Sequence, residues 1–254
     1  MAQRKPRALV LCGDGLHGEV ELANAFELSG FDVDIRSMNE LILSRVSQEE
    51  WTRRWSAFAI PAGATFGDAL GSGKLFALKF EQGLGWDFAQ YAERGGLVLG
   101  VGNGFQILLR LRVFGTDLSL TANEDGRFTN HWVRVIPNAT RCLWLKGLGT
   151  LDLPIRHFEG RLMILGLRRP EILGRMERQG MMCLTYEGGL QGSEHDVAGL
   201  CDPTGRIFGL MPHPEDFVRW TSHPEWTASP NRANSPGQGL ALFENAYQEA
   251  MRVL

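Results

Sequence analysis

The chain has 254 residues, 44% of them hydrophobic and 22% charged, with a formal net charge of −3 and a sequence pI near 6.1. That length predicts one or two domains with a core large enough to need no covalent staples. The mild acidity argues against a nucleic-acid partner, which selects a basic face. No apolar run approaches the roughly 20 residues of a membrane span, and the apolar stretch at residues 8–12, after a basic start, is too short for a signal-peptide core. Cys12, Cys142, Cys183 and Cys201 are scattered and form no CxxC pair, so neither structural zinc nor a disulfide framework is expected, and no metal site is assigned. The reading is of a reduced, cytoplasmic protein without a membrane partner.

Residues 8–12 form a short apolar strand ended by Gly13, Asp14 and Gly15. Residues 19–29 read as a helix with Val20, Leu22, Ala23 and Phe26 on its apolar face and Gly30 as its stop. Phe31, Val33 and Ile35 alternate with Asp32, Asp34 and Arg36, the period of a strand. The alternation continues with a helix near 48–55, a strand at 58–60, a helix near 88–94, a strand at 97–101 and a helix at 105–112. Residues 128–136 alternate like an antiparallel strand, and 206–210 form a late one. Strands alternating with helices predict an α/β fold. It is an open, mostly parallel, flavodoxin-like sheet with helices on both faces and an antiparallel extension, formed by one domain over 1–254. In such sheets the site lies beyond the carboxyl ends of the strands.

Three strand ends carry chemistry. At residues 97–106 an apolar strand meets Gly100, Gly102 and Gly104 and passes into a helix. This is the pattern of a nucleophile elbow, in which small neighbours let a central residue project above a helix N-terminus. The central residue should be Ser or Cys, and it is Gly102. A plain glycine-rich turn is the other reading; the absence of a following Lys-Ser/Thr excludes a P-loop. At residues 209–215 a strand delivers His213 to the sheet edge with Glu215 two residues on, a base and its orienter. A second His-Pro-Glu, at His223–Glu225, follows no strand and reads as loop. At residues 60–68 a buried strand enters a small-residue turn whose N–H groups, around Gly63 and Ala64, could face a developing oxyanion. A simple strand-to-loop transition accounts for it equally.

In this order the three segments resemble class I, triad-type glutamine amidotransferases, above all the PurQ-type branch that serves phosphoribosylformylglycinamidine synthase in purine biosynthesis. Gly100–Gln106 is similar to that family's GVCNGFQ, residues 60–68 to its PGGFSYGD, and 211–215 to its MPHPE. Residues 121–128 and 154–161 resemble its LTxNxSxRF and P(V/I)xHGEGR segments. Residues 20–26 and the tail around Trp220, His223 and Trp226 resemble the version fused to the synthetase.

The resemblance implies a Cys-His-Glu triad that hydrolyses glutamine to glutamate through a γ-glutamyl thioester. It also implies ammonia passed to a synthetase partner that holds ATP and magnesium, with a small accessory subunit in some complexes. No cofactor is implied in this chain. On this sequence it makes His213 the base, Glu215 its orienter, Gly63 and Ala64 the oxyanion turn, and Gln106, Arg127 and Phe128 the glutamine-binding wall. His157, Glu159 and Arg161 face either the site or the partner.

The departure is at Gly102, where the family has its thiol; Ala62 and Ala64 also depart from the family's small turn, and Phe158 replaces a glycine. Cys12 ends a strand at the same sheet edge but sits on no elbow. Two readings stay open: a glutaminase made inactive by one residue, or a natural pseudo-glutaminase that acts as a non-catalytic docking subunit.

Overall fold

The computed structural model describes residues 5–138, 141–190 and 192–254, so the extreme N-terminus of the basic start lies outside the described residues. Strand β1 (Arg7–Cys12) and the two-residue β2 (Leu16–His17) precede helix α1 (Glu19–Ser29), which runs between Gly18 and Gly30. The N–H of Gly30 bonds back to the carbonyls of Phe26 and Glu27 and ends the helix as expected. Strand β3 (Asp32–Ser37) leads into α2 (Met38–Leu43), started by a reciprocal cap in which the Ser37 hydroxyl accepts from the N–H of Glu40 while the Glu40 carboxylate accepts from that of Ser37. Then follow α3 (Gln48–Arg54), β4 (Ala57–Ile60), β5 (Ala62–Gly63), α4 (Lys74–Gly83), α5 (Phe88–Glu93), β6 (Leu97–Val101) and α6 (Asn103–Arg110). The second half adds β7 (Leu118–Thr121), β8 (Thr129–Pro137), β9 (Leu151–His157), β10 (Arg161–Ile164) and α7 (Arg169–Arg178). It closes with β11 (Leu184–Tyr186), β12 (Val197–Cys201), β13 (Ile207–Leu210) and α8 (Leu240–Val253).

Nine strands form one sheet in the order β3-β1-β4-β6-β13-β12-β11-β8-β9. From β3 to β13 every neighbour is parallel; from β13 to β9 every neighbour is antiparallel. This is the mixed α/β sheet that the alternation predicts. β4, β6 and β13 are buried along their whole length, as parallel strands covered on both faces must be. Side-chain alternation sends Leu9 and Leu11 of β1 into one apolar layer and Ala8 and Val10 into the other. The first layer packs Trp51, Phe76, Phe80, Tyr91 and Phe105 from α3 to α6. The second packs α1 against α8, with the Phe26 and Phe243 rings edge-on at 5.1 Å.

The structure departs from the expected elements at identifiable places. Val20 is 64% exposed, so the buried face of α1 is Leu22, Ala23, Ala25 and Phe26. Phe31 is buried but precedes β3, whose edge position leaves Ile35 exposed. Helices α2, α4, α7 and α8 and strands β2, β5, β7 and β9 to β12 lie outside the anticipated set. In α8, Leu242, Phe243, Ala246 and Ala250 are buried at helical spacing, a readable pattern after the glycine-rich approach to it. Among the described residues no helix is long and apolar enough to cross a membrane.

Candidate functional site

The carboxyl ends of β4, β6 and β13 meet at one edge of the sheet. Gly102, between β6 and α6, has φ 52° and ψ −111°, a backbone that a side chain would strain. Its N–H donates to the Leu210 carbonyl at 2.9 Å, tying the end of β6 to the end of β13. A Cβ built on Gly102 would lie 3.6 Å from Nε2 of His213, 3.5 Å from its Cε1 and 3.2 Å from the methyl of Ala62. The turn therefore points at the imidazole.

His213 leaves β13 with its N–H donating to the Pro154 carbonyl of β9 at 2.8 Å, and the short helix Pro214–Phe217 brings Glu215 back under it. Nδ1 of His213 and Oε1 of Glu215 are 2.9 Å apart. A carboxylate only accepts, so Nδ1 carries a proton shared with Glu215, and when the ring is neutral the lone pair of Nε2 faces Gly102. Both side chains are buried, and among the described residues His213 Nε2 and Glu215 Oε2 have no hydrogen-bond partner. Burial opposes charge on His213, but the charge and hydrogen bond of Glu215 outweigh it and raise its pKa. Burial raises that of Glu215, against the pull of His213. Arg156 bonds Asp216, beside the pair, at 2.8 Å.

His157 is the second buried imidazole. Its Nδ1 lies 2.9 Å from Oδ1 of Asn123, which also accepts from the N–H of Gly160, so Nδ1 carries the proton. Burial, then the nearby charges of His213 and His131, lower its pKa to about 4. It is a neutral group at pH 7. Asn123 spends its amide hydrogens on the carbonyls of Arg127 and His157 and on the Thr129 hydroxyl.

The loop after β4 is pinned by Asn103. Its Oδ1 accepts from the N–H and hydroxyl of Thr65, and its Nδ2 donates to Asp68 and to Gln106. Phe66, Gly67 and Asp68 all have positive φ, and this conformation is held by those bonds. Burial raises the pKa of Asp68, partly offset by the bond from Asn103.

Several expected roles change in this light. The N–H of Ala64 donates to the Gly15 carbonyl at 3.0 Å, where β5 pairs with β2, and is committed there. Gln106 is buried, but its oxygen accepts from Asn103 and its Nε2 donates to the Glu159 carbonyl at 2.6 Å, so it braces the wall and offers no open amide. Arg127 and Phe128 expose their side chains, and only the Arg127 carbonyl is tied to the wall. Of the three residues left between site and partner, His157 lies inside the protein near His213. Glu159 accepts from the Ser72 N–H, and Arg161 reaches outward to the Gly192 carbonyl. The thiol of Cys12 has its pKa raised by burial and by Glu19, Glu40 and Asp14, the opposite of an activated nucleophile. His223 stacks on Trp220 at 5.5 Å and meets Trp132 edge-on at 4.7 Å, so the second His-Pro-Glu is aromatic packing between two short helical turns.

Asn103 and Asn123 escaped sequence reasoning. Both sit inside the motifs at residues 100–106 and 121–128, and an amide that bridges distant loops leaves no local signal.

A family model described as a CobB/CobQ-like glutamine amidotransferase domain matches residues 5–248. The phosphoribosylformylglycinamidine synthase subunit PurQ of Dehalococcoides mccartyi is 34% identical over 98% of this chain and 99% of its own length. That of Methanococcus maripaludis is 32% identical over 96% and 97%. Among solved structures, one described as PurLQS from Thermotoga maritima aligns with a TM-score of 0.72 and 26% identity, over 96% of this chain and 99% of the matched one.

Proposed function

The chain belongs to the CobB/CobQ-like glutamine amidotransferase family, and on that premise we propose that residues 1–254 act as one domain, the glutaminase-type subunit of a phosphoribosylformylglycinamidine synthase working in the cytoplasm. Glutamine would bind over Gly102, with its side-chain amide between His213 and the loop after β4. The observation that carries this reading is the aim of His213: a Cβ at the tip of the strand-turn-helix elbow would lie 3.6 Å from its Nε2, with Glu215 behind it.

In the reaction that this geometry serves, a thiolate at the elbow attacks the amide carbon. His213 takes the thiol proton and returns it to the departing ammonia. Water then breaks the thioester with His213 again as base, releasing glutamate. Glu215 keeps the imidazole in the Nδ1–H tautomer. The N–H of Asn103, at the positive end of α6, and that of Gly63 would donate to the oxyanion. Gly102 has no atom that can form the thioester, so this chain would bind glutamine and not turn it over by that route. Loss of a nucleophile from an otherwise complete set costs about a million-fold in kcat in comparable hydrolases.

The partners of this reading are glutamine, a synthetase subunit carrying ATP and magnesium, and a small accessory subunit; the three-letter assembly of the Thermotoga relative supports this. The second reading, a docking subunit that cleaves nothing by design, is favoured by one contact: the methyl of Ala62 fills the space beside Gly102. Calorimetry with glutamine, and glutamine hydrolysis with and without the synthetase, separate the readings. Binding without hydrolysis, followed by hydrolysis on restoring a thiol, supports the first. A chain that binds no glutamine at all sinks it and leaves the second.

A further inference from the structure

At the opposite end of β12 and β13 from His213, three cysteines far apart in sequence come together. Cys142 precedes a short helical turn, Cys183 precedes β11, and Cys201 ends β12, where it pairs with Phe208 near the start of β13. All three are at most 1% exposed, and their sulfur atoms lie within 4.8 Å of one another. Three ligands around one cation, at about 2.3 Å each, would stand about 4 Å apart. The cluster meets that spacing with little movement.

Backbone carbonyls and a basic cleft border the cluster. The Cys183 thiol donates to the carbonyl of Gly199 at 3.6 Å. The Cys201 thiol lies 3.5 Å from the carbonyl of Gly180. Gly180 lines a cleft of about 630 Å³ with Arg141, Lys146, Arg178 and Glu177, a net basic surface beside the buried cluster. The nearest carboxylate, Asp202, is already spent: Oδ1 accepts from the N–H of Ile207, Oδ2 from the N–H and hydroxyl of Thr204. Among the described residues, no fourth His, Cys, Asp or Glu joins the group. A closed structural zinc site takes four protein ligands, whereas a set of three sulfurs buried away from water matches a soft monovalent cation.

We propose that Cys142, Cys183 and Cys201 form a three-sulfur site for Cu(I). Binding exchanges the three thiol protons for the metal, and those protons leave to solvent with no change of oxidation state. The site is independent of the glutamine-binding reading.

The test is anaerobic titration of the reduced full-length chain with the acetonitrile complex of Cu(I), against a chromophoric Cu(I) chelator. One Cu(I) per chain is expected, with a near-ultraviolet thiolate-to-copper band and a higher thermal midpoint. Cys142→Ala, Cys183→Ala and Cys201→Ala should each weaken retention at least tenfold, and Cys12→Ala should leave it unchanged. Equal retention by the triple alanine variant overturns the assignment. If the variants fail to fold, X-ray absorption at the copper edge of the unmodified chain decides: three sulfurs in one shell supports the site, and two sulfurs or nitrogen and oxygen neighbours overturn it.

Discussion

Restoring a thiol with Gly102→Cys probes both the elbow and its neighbour Ala62. The φ of 52° and ψ of −111° at position 102 place any side chain in a strained backbone region, at a cost of about 1–3 kcal/mol. The new Cβ would stand in ordinary contact with the His213 ring but only 3.2 Å from the Ala62 methyl, which must yield by a few tenths of an ångström. The single variant should therefore melt lower by about 2–4 °C for each kcal/mol lost. Ala62→Gly removes the nearer methyl, so the double variant should recover part of that loss, the two changes coupling because they touch. The assay is glutamine hydrolysis, with alkylation by a diazoketone analogue of glutamine followed by mass spectrometry. The unmodified chain should show neither adduct nor turnover. Gly102→Cys should be alkylated, and the Ala62→Gly, Gly102→Cys pair should react faster. A folded double variant that is neither alkylated nor active, with the synthetase present, would refute the assignment of His213 and Glu215. An adduct on Cys12 in the unmodified chain would refute the assignment of the elbow.

The low pKa of His157 sets a pH dependence. A histidine of ordinary pKa 6.5 in the unfolded chain and about 4 in the folded one leaves the unfolded state holding more protons between those values. The stabilising contribution is present above pH 6.5 and is lost as pH falls toward 4. Urea midpoints at pH 7 and pH 5 should show His157→Gln losing about 1–3 kcal/mol less than the unmodified chain over that interval; an equal loss would show that His157 titrates normally. Asn103→Leu should cost about 2–4 kcal/mol by stranding Thr65 and Gln106, and urea titration checks it; an unchanged midpoint would mean the loop after β4 needs no pin. Gly239→Ala should displace Pro214, because a Cβ there would fall 2.0 Å from the Pro214 carbonyl oxygen. The imidazole NMR signals of His213 should shift, and an unmoved spectrum would show that the tail does not brace the His213 turn.

What could be read from the chain, and what could not, follows from range of interaction. The β6–Gly102–α6 turn and the strand before His213 are local patterns: an apolar run, then glycine or proline, then a reactive residue. They lie where the sequence predicts them. The committed N–H of Ala64 is different, because its acceptor, Gly15, lies in the pairing of two dipeptide strands far too short to leave a period. Gln106 looks like a pocket residue until Asn103 and Glu159 claim both ends of its amide. The sulfur cluster is the extreme case. Its members lack any motif spacing, and only the register of β11 on β12 and the helical turn at 143–145 bring them together.

The packing of α1 on α8 has a consequence for how the molecule comes into being. The rings of Phe26 and Phe243 meet at 5.1 Å and those of Phe31 and Tyr247 at 5.6 Å, across about 210 residues of intervening chain. A ribosome adding about 5–20 residues per second needs roughly 10–40 s to make that stretch. Throughout that time Leu22 and Phe26 have no α8 to cover them. The nascent chain thus carries an uncovered apolar stripe through most of its synthesis, a binding surface for chaperones that vanishes when α8 docks.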